Sequence, residues 1–200
     1  MSRIAMFGGS FNPVHKAHRK FTEKVIESLE LDKIYIVPTY SSPHKQGFDM
    51  ASPKDRYNMC RIAFKGVEKA EVSGIEINRK GKSYTCDTLA ELSRTHCNDR
   101  IFLVMGADMY LTLQDWKNPE KIFSLATIVT FPRDSDNYKS LKKHSEFLKN
   151  MGAKSVILNE KVIKLSSTTV RENIRNKEFV YRFLDKEVYK YIVDNNLYGM

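Results

Sequence analysis

Two histidines, a glycine pair and a run of hydroxyl side chains ahead of an arginine are the residues of this chain best suited to chemistry, and they suit phosphates. His15 and His18 stand three apart in GGSFNPVHKAH, residues 8–18. At the start of a helix that spacing puts both rings on one face, beside the positive end of the helix dipole. Gly8 and Gly9 lack Cβ atoms, so the backbone can approach a ligand closely and offer its N–H groups to phosphate oxygens. Two helical histidines are equally half of a metal site, or partly buried polar residues. A metal needs a third ligand, and neither a glutamate beside them nor a cysteine pair elsewhere supplies one. Phosphate contact is the better functional reading.

The second group is LSSTTVR, residues 165–171, where Ser166, Ser167 and Thr168 precede a helix containing Arg171. A helix N-terminus offers N–H groups to anions. Taken alone, a capping serine and a solvated arginine account for it better.

These residues need a scaffold, and the apolar pattern specifies one. Residues 3–7 form a short apolar run ending in Gly8-Gly9, and Phe21, Val25, Ile26 and Leu29 then recur at helical spacing. A second strand is expected at 34–37, stopped by Pro38. Ser52-Pro53-Lys54-Asp55 combines an N-cap, a proline at the first helical position and an acid three residues after the cap, which predicts a helix to about Lys65. Residues 72–77 alternate as a weak strand, 79–82 read as a turn, and Asp87 reads as the cap of a helix through Ser93. Runs at 101–105 and 127–131, ended by Gly106 and Pro132, read as strands deep in a sheet. A short helix starts at Asn118-Pro119. A helix near 139–150, a strand at 155–158 and two terminal helices complete the order. Phe183, Leu184, Val188, Tyr191 and Ile192, around a helix capped by Asp185, read as core.

This alternation predicts an α/β fold of Rossmann-like, doubly wound form: a mostly parallel sheet with helices on both faces. Such sheets bind ligands beyond the carboxyl ends of their strands, near the point where strand order reverses. One domain spanning 1–200 is expected, its terminal helices from about 166 closing the order.

Composition bounds the answer. A chain of 200 residues, 42% hydrophobic, can bury a core without disulfides. Cys60, Cys86 and Cys97 form neither a disulfide framework nor a zinc knuckle and read as core thiols. There is no signal-peptide or membrane-length apolar run, so a cytoplasmic protein without membrane contact is expected. Lys and Arg outnumber acids 33 to 24, a net charge of +9 that fits either nucleic acid or phosphorylated small molecules. The basic residues are scattered among acids rather than gathered in a tail or helix.

GGSFNPVHKAH resembles the GxFxPxHxGH signature of the HxGH nucleotidyltransferases, with both histidines in place. Asn12 stands where many members carry aspartate, and Ala17 where the signature has glycine. LSSTTVR resembles the ISSTxIR motif of the same superfamily, whose serine, threonine and arginine hold the β- and γ-phosphates of ATP. SSPHK (41–45), KSYTCDT (82–88) and MGADM (105–109), followed by Trp116, resemble the bacterial nicotinate-nucleotide adenylyltransferases.

The resemblance implies adenylyl transfer from ATP to nicotinate mononucleotide, giving deamido-NAD and pyrophosphate in NAD biosynthesis. By it His15, His18 and Arg171 are catalytic. ATP would meet Gly8, Gly9, Ser10, Phe11, Gly106, Asp108, Ser166, Ser167 and Thr168; the pyridine nucleotide would meet Lys45, Tyr84, Thr85 and Trp116. Taken by themselves, Lys45 reads equally as a loop charge, Tyr84 as a packed aromatic and Trp116 as core. Asp108 suits ribose hydroxyls and Asp87 a cap. Mg²⁺ is expected to arrive with ATP, without dedicated protein ligands. The expected partners are the two small-molecule substrates and no nucleic acid; a homo-oligomer is one open option for assembly. The nearest alternatives are pantetheine-phosphate adenylyltransferase, a cytidylyltransferase, or a non-catalytic protein that binds nucleotide or nucleic acid. Choice between nicotinate and nicotinamide mononucleotide is not readable from the chain.

Overall fold

The computed structural model describes residues 1–43, 50–132, 134–158 and 165–200. Six parallel strands are β1 (Arg3–Gly9), β2 (Lys33–Pro38), β3 (Ala70–Val72), β4 (Arg100–Val104), β5 (Thr127–Thr130) and β6 (Lys154–Ile157). They lie in the order β3-β2-β1-β4-β5-β6, so the chain builds outward from β1 to one edge and then returns to build outward from β4 to the other. The reversal falls between β1 and β4, which run in register from Arg3 opposite Arg100 to Phe7 opposite Val104. Gly8 and Gly9 leave β1 and Gly106 follows β4 at the same end of the sheet, where a crevice must open.

Alternate residues of the central strands feed two buried layers. Ala5, Phe7, Phe102 and Val104 pack with α1 (Lys16–Ser28), α2 (Pro53–Ala63) and the carboxy-terminal helices α8 (Ser167–Glu172), α9 (Lys177–Phe183) and α10 (Lys186–Asp194). Met6, Ile101, Leu103 and Met105 pack with α4 (Thr85–Thr95), α5 (Ala107–Tyr110), α6 (Pro119–Leu125) and α7 (Ser135–Asn150). Burial on both faces explains why the strands read as continuous apolar runs.

Ser52 caps α2 as expected, accepting a hydrogen bond from the Asp55 N–H at 3.1 Å. Four local expectations are corrected. Only Ala70–Val72 is strand; after Gly74 the chain forms helix α3 (Ile75–Arg79), because the Asn78 N–H bonds back to the Gly74 carbonyl at 2.8 Å and leaves the sheet. Helix α4 starts at Thr85 with Tyr84 at its cap, since the N–H groups of Asp87 and Thr88 both bond to the Tyr84 carbonyl. Asp87 lies inside the first turn and pairs with Lys117 at 3.3 Å. Helix α7 begins at Ser135 because Asp134 caps it through the Asn137 N–H. The end of the chain holds three helices rather than two, Asn176 capping α9 afresh, followed by a 3-10 turn at Leu197–Gly199. Among the described residues no helix is long and apolar enough to cross a membrane.

Candidate active site

The loop after β1 is shaped by its aromatic residue. Phe11 adopts a left-handed conformation, φ 47°, and folds its ring back over Gly9, where a Cβ would come within 3.1 Å of that ring. A side chain at 9 would therefore displace either Phe11 or the loop. The ring of Phe11 also meets His18 edge-on, with centroids 5.0 Å apart.

His15 occupies the N-cap of α1 and His18 its third position. The backbone N–H of His15 donates to Nδ1 of His18 at 3.2 Å. A ring nitrogen that accepts carries no proton, so the proton of His18 sits on Nε2, which is the donor this ring can present to an anion. His15 is buried, and burial lowers its pKa to about 4, so it is neutral at physiological pH.

The second motif docks directly on this loop. Ser166 caps α8 through the Thr169 N–H at 3.0 Å, as simple capping requires. Its neighbours do more. Ser167 Oγ donates to the Pro13 carbonyl at 2.9 Å, Arg171 NH1 donates to the Asn12 carbonyl at 2.7 Å, and Arg171 NH2 reaches Thr168 Oγ1 at 3.3 Å. Arg171 is thus tied to the histidine loop rather than left as a solvated charge.

A residue without a role in the motifs holds the other side. Arg56, 1% exposed, donates through Nε to the Ala51 carbonyl, through NH1 to the Ser10 carbonyl and Thr39 Oγ1, and through NH2 to the Thr39 and Tyr40 carbonyls. Its guanidinium fork joins the exits of β1 and β2 to the lead of α2. Sequence did carry a trace of it: Arg56, Met59, Cys60 and Ala63 repeat at the spacing of the buried stripe of α2, so the arginine sits at a core position.

A cavity opens at the strand-order reversal. Gly8, Gly9 and Ser10 line one side, Gly106 the end of β4, and Tyr84, Thr85 and Trp116 the far rim, with Thr39, Glu76 and Ser83 as further polar groups. A Cβ at Gly106 would meet no atom within 4 Å, so packing does not demand glycine there; the room is left to the cavity. Lys117, not singled out in the sequence, lies 4.0 Å from the Tyr84 ring centroid and also lines the cavity. Glu76 is buried and accepts from Thr88 Oγ1 at 2.7 Å, and burial raises its pKa.

The expected residues therefore divide. Gly8, Gly9, Ser10, Tyr84, Thr85, Gly106 and Trp116 share the cavity. His15, His18, Phe11, Ser167, Thr168 and Arg171 form the adjoining cluster around the loop and α8. Asp108 is exposed in the first turn of α5, and Lys45 lies outside the described residues. Among the described residues no three His, Cys, Asp or Glu side chains are grouped to hold a metal ion.

The chain is similar to known proteins over its whole length. Residues 6–173 match the cytidylyltransferase-like family. A Clostridium botulinum protein named a probable nicotinate-nucleotide adenylyltransferase is 36% identical over 200 residues, covering 99% of this chain and 98% of the relative. A Fusobacterium nucleatum protein of the same name is 36% identical over 191 residues, covering 95% and 96%. The fold matches that of the Plasmodium falciparum nicotinic acid mononucleotide adenylyltransferase complexed with NaAD, at 19% identity and a TM-score of 0.79 over 99% of this chain and 98% of that one. With the family's model matching most of its length and relatives alike from end to end, the chain belongs to the cytidylyltransferase-like family, among its nicotinate-nucleotide adenylyltransferases.

Proposed function

We propose that the crevice between β1 and β4 divides the reaction into two halves: the loop of residues 8–18 with α8 holds ATP, and the rim of Tyr84, Thr85 and Trp116 holds nicotinate mononucleotide. The chain is an ATP-dependent nucleotidyltransferase that moves the adenylyl group of ATP to nicotinate mononucleotide and releases pyrophosphate. The observation that supports the division is the direct bond of Arg171 to the Asn12 carbonyl, which brings the two phosphate motifs to one side of the cavity.

The phosphate of the acceptor attacks the α-phosphorus of ATP in line, and the bond to pyrophosphate breaks. That phosphate is already ionised at neutral pH, so the reaction asks for positioning and charge neutralisation more than for a base. His18 donates from Nε2 and Arg171 from its guanidinium to the oxygens that gain charge. His15, kept neutral by burial, holds His18 in orientation through its N–H. The N–H groups of Gly8 to Ser10 orient the transferred phosphate. Ser166, Ser167 and Thr168 border the β- and γ-phosphates, with Ser166 and Ser167 also fixing α8. Asp108, exposed in the first turn of α5, would meet ribose hydroxyls.

Mg²⁺ belongs to this reading as an ion that ATP carries; when bound it neutralises charge on the triphosphate. The helices from 166 onward complete the ATP half within one domain. As an enzyme of NAD biosynthesis, it would work in the cytoplasm.

The test is pyrophosphate release from ATP and Mg²⁺ with nicotinate mononucleotide, run beside nicotinamide mononucleotide, phosphopantetheine, and CTP with glycerol phosphate. Nicotinate mononucleotide should give the highest kcat/KM. A clear win by another acceptor overturns the substrate assignment, and no turnover with any overturns the activity.

A further inference from the structure

Asn12 is a junction of three chain segments. Its carbonyl accepts from Arg171, and its side-chain Oδ1 accepts both the Ala51 N–H at 3.0 Å and the Tyr198 hydroxyl at 2.7 Å. Tyr198 lies 186 positions away, in the 3-10 turn at the very end of the chain. The turn is not one the backbone chooses by itself. Tyr198 sits at φ 59°, ψ 30°, in the left-handed region that a bulky aromatic residue disfavours, beside Asn196 at φ 50°, ψ 41°, a residue that tolerates it. Side-chain bonds hold it there: the Tyr198 hydroxyl to Asn12, and Arg175 to the Gly199 carbonyl at 2.6 Å. Arg56, Arg171 and Asp55 are the charges that face the Tyr198 hydroxyl, and burial raises its pKa, so it remains a donor.

We propose that the carboxy-terminal turn is a latch on the ATP half of the site, with Tyr198 a positioning residue that acts through Asn12 on the loop of residues 8–18 and on Arg171. It rests on the assignment of that loop and Arg171 to ATP. The pyridine half is the rim of Tyr84, Thr85 and Trp116, whereas Asn12 is bonded to Arg171, Ala51 and Tyr198, so loss of the latch should be felt by ATP rather than by the pyridine nucleotide.

Tyr198→Phe removes the hydroxyl alone. Losing one neutral hydrogen bond corresponds to an effect on the order of fivefold to tenfold. The KM for ATP should rise by that factor, the KM for nicotinate mononucleotide should stay within about twofold, and ATP affinity measured alone by calorimetry should fall in parallel. Asn12→Ala, which also leaves the Ala51 N–H without its acceptor, should shift ATP at least as far, the double variant should be no worse than Asn12→Ala alone, and Asn12→Asp, which keeps an accepting oxygen, should recover most of the loss seen in Asn12→Ala. Arg175→Ala loosens the same turn from its other end and should shift ATP in the same direction, so the inference does not depend on one variant folding. Equal shifts in both KM values, a shift in neither, or additive single variants would overturn it. Failure of the ATP assignment itself would look different: the wild-type protein would bind no ATP.

Discussion

The rings of His15 and His18 lie face to face, with centroids 3.7 Å apart and planes at 21°. One is buried in the N-cap of α1 and the other accepts the first one's N–H, so in the proposed reaction the pair would act as a support and a donor rather than as two equal donors.

His18→Ala should therefore lower kcat by about 10²- to 10³-fold, the range for removing one donor aimed at developing charge. The fold should lose only on the order of 1 kcal/mol, the worth of one cap contact. Steady-state kinetics beside urea unfolding checks both; a variant with wild-type kcat removes His18 from the mechanism.

Stability should depend on pH through His15. Its folded pKa, about 4, lies below the ordinary value of 6.5, so the unfolded chain binds the proton more readily. That stabilising contribution is present above pH 6.5 and is lost as pH falls through 6.5 toward 4, by an amount on the order of 3 kcal/mol. Thermal unfolding from pH 7.5 to 4, compared with His15→Gln, should show the variant losing part of that slope. Identical slopes would mean His15 is solvated.

Arg56→Lys should destabilise the protein by about 3 kcal/mol. An ammonium has three donors and no fork, so at least two acceptors among Ala51, Ser10, Thr39 and Tyr40 lose their partner. Urea titration measures it, and a loss under about 1 kcal/mol would show that water replaces the guanidinium.

Gly106→Ala separates stability from binding. With no atom within 4 Å of the added methyl group, the melting temperature should hold, while kcat/KM falls because the methyl enters the cavity. Unchanged kinetics would place the substrate elsewhere.

Trp116 is the chain's single tryptophan and lines the cavity, so its fluorescence reports directly on that rim. Nicotinate mononucleotide should quench it, and Trp116→Phe should raise the KM for that substrate by roughly 3- to 10-fold, a stacking loss of about 1 kcal/mol. An emission spectrum indifferent to the pyridine nucleotide would count Trp116 as core alone.

Much of this was legible in the chain. Apolar runs at 3–7, 34–37, 101–105 and 127–131 marked β1, β2, β4 and β5 because strands buried on both faces are mostly apolar, with polar residues kept largely to their ends. The phosphate loop, LSSTTVR and the Ser52 cap were legible for a related reason: contacts within a few residues are written in local spacing. Where local rules competed, the outcome was tertiary. VSGIEI satisfied a strand pattern, yet Gly74 turned it into α3, where Glu76 meets Thr88 across the fold.

Only the folded chain joined the distant pieces. No spacing rule connects Arg171 to Asn12, Tyr198 to the same asparagine, or Arg56 to the carbonyl of Ser10. Sequence determined which residues could hold phosphate and which runs must be buried, since both follow from residue type and near-neighbour geometry. Which residues hold the 8–18 loop from behind was decided by three-dimensional packing, because those bonds form between residues that become neighbours only when the sheet is assembled.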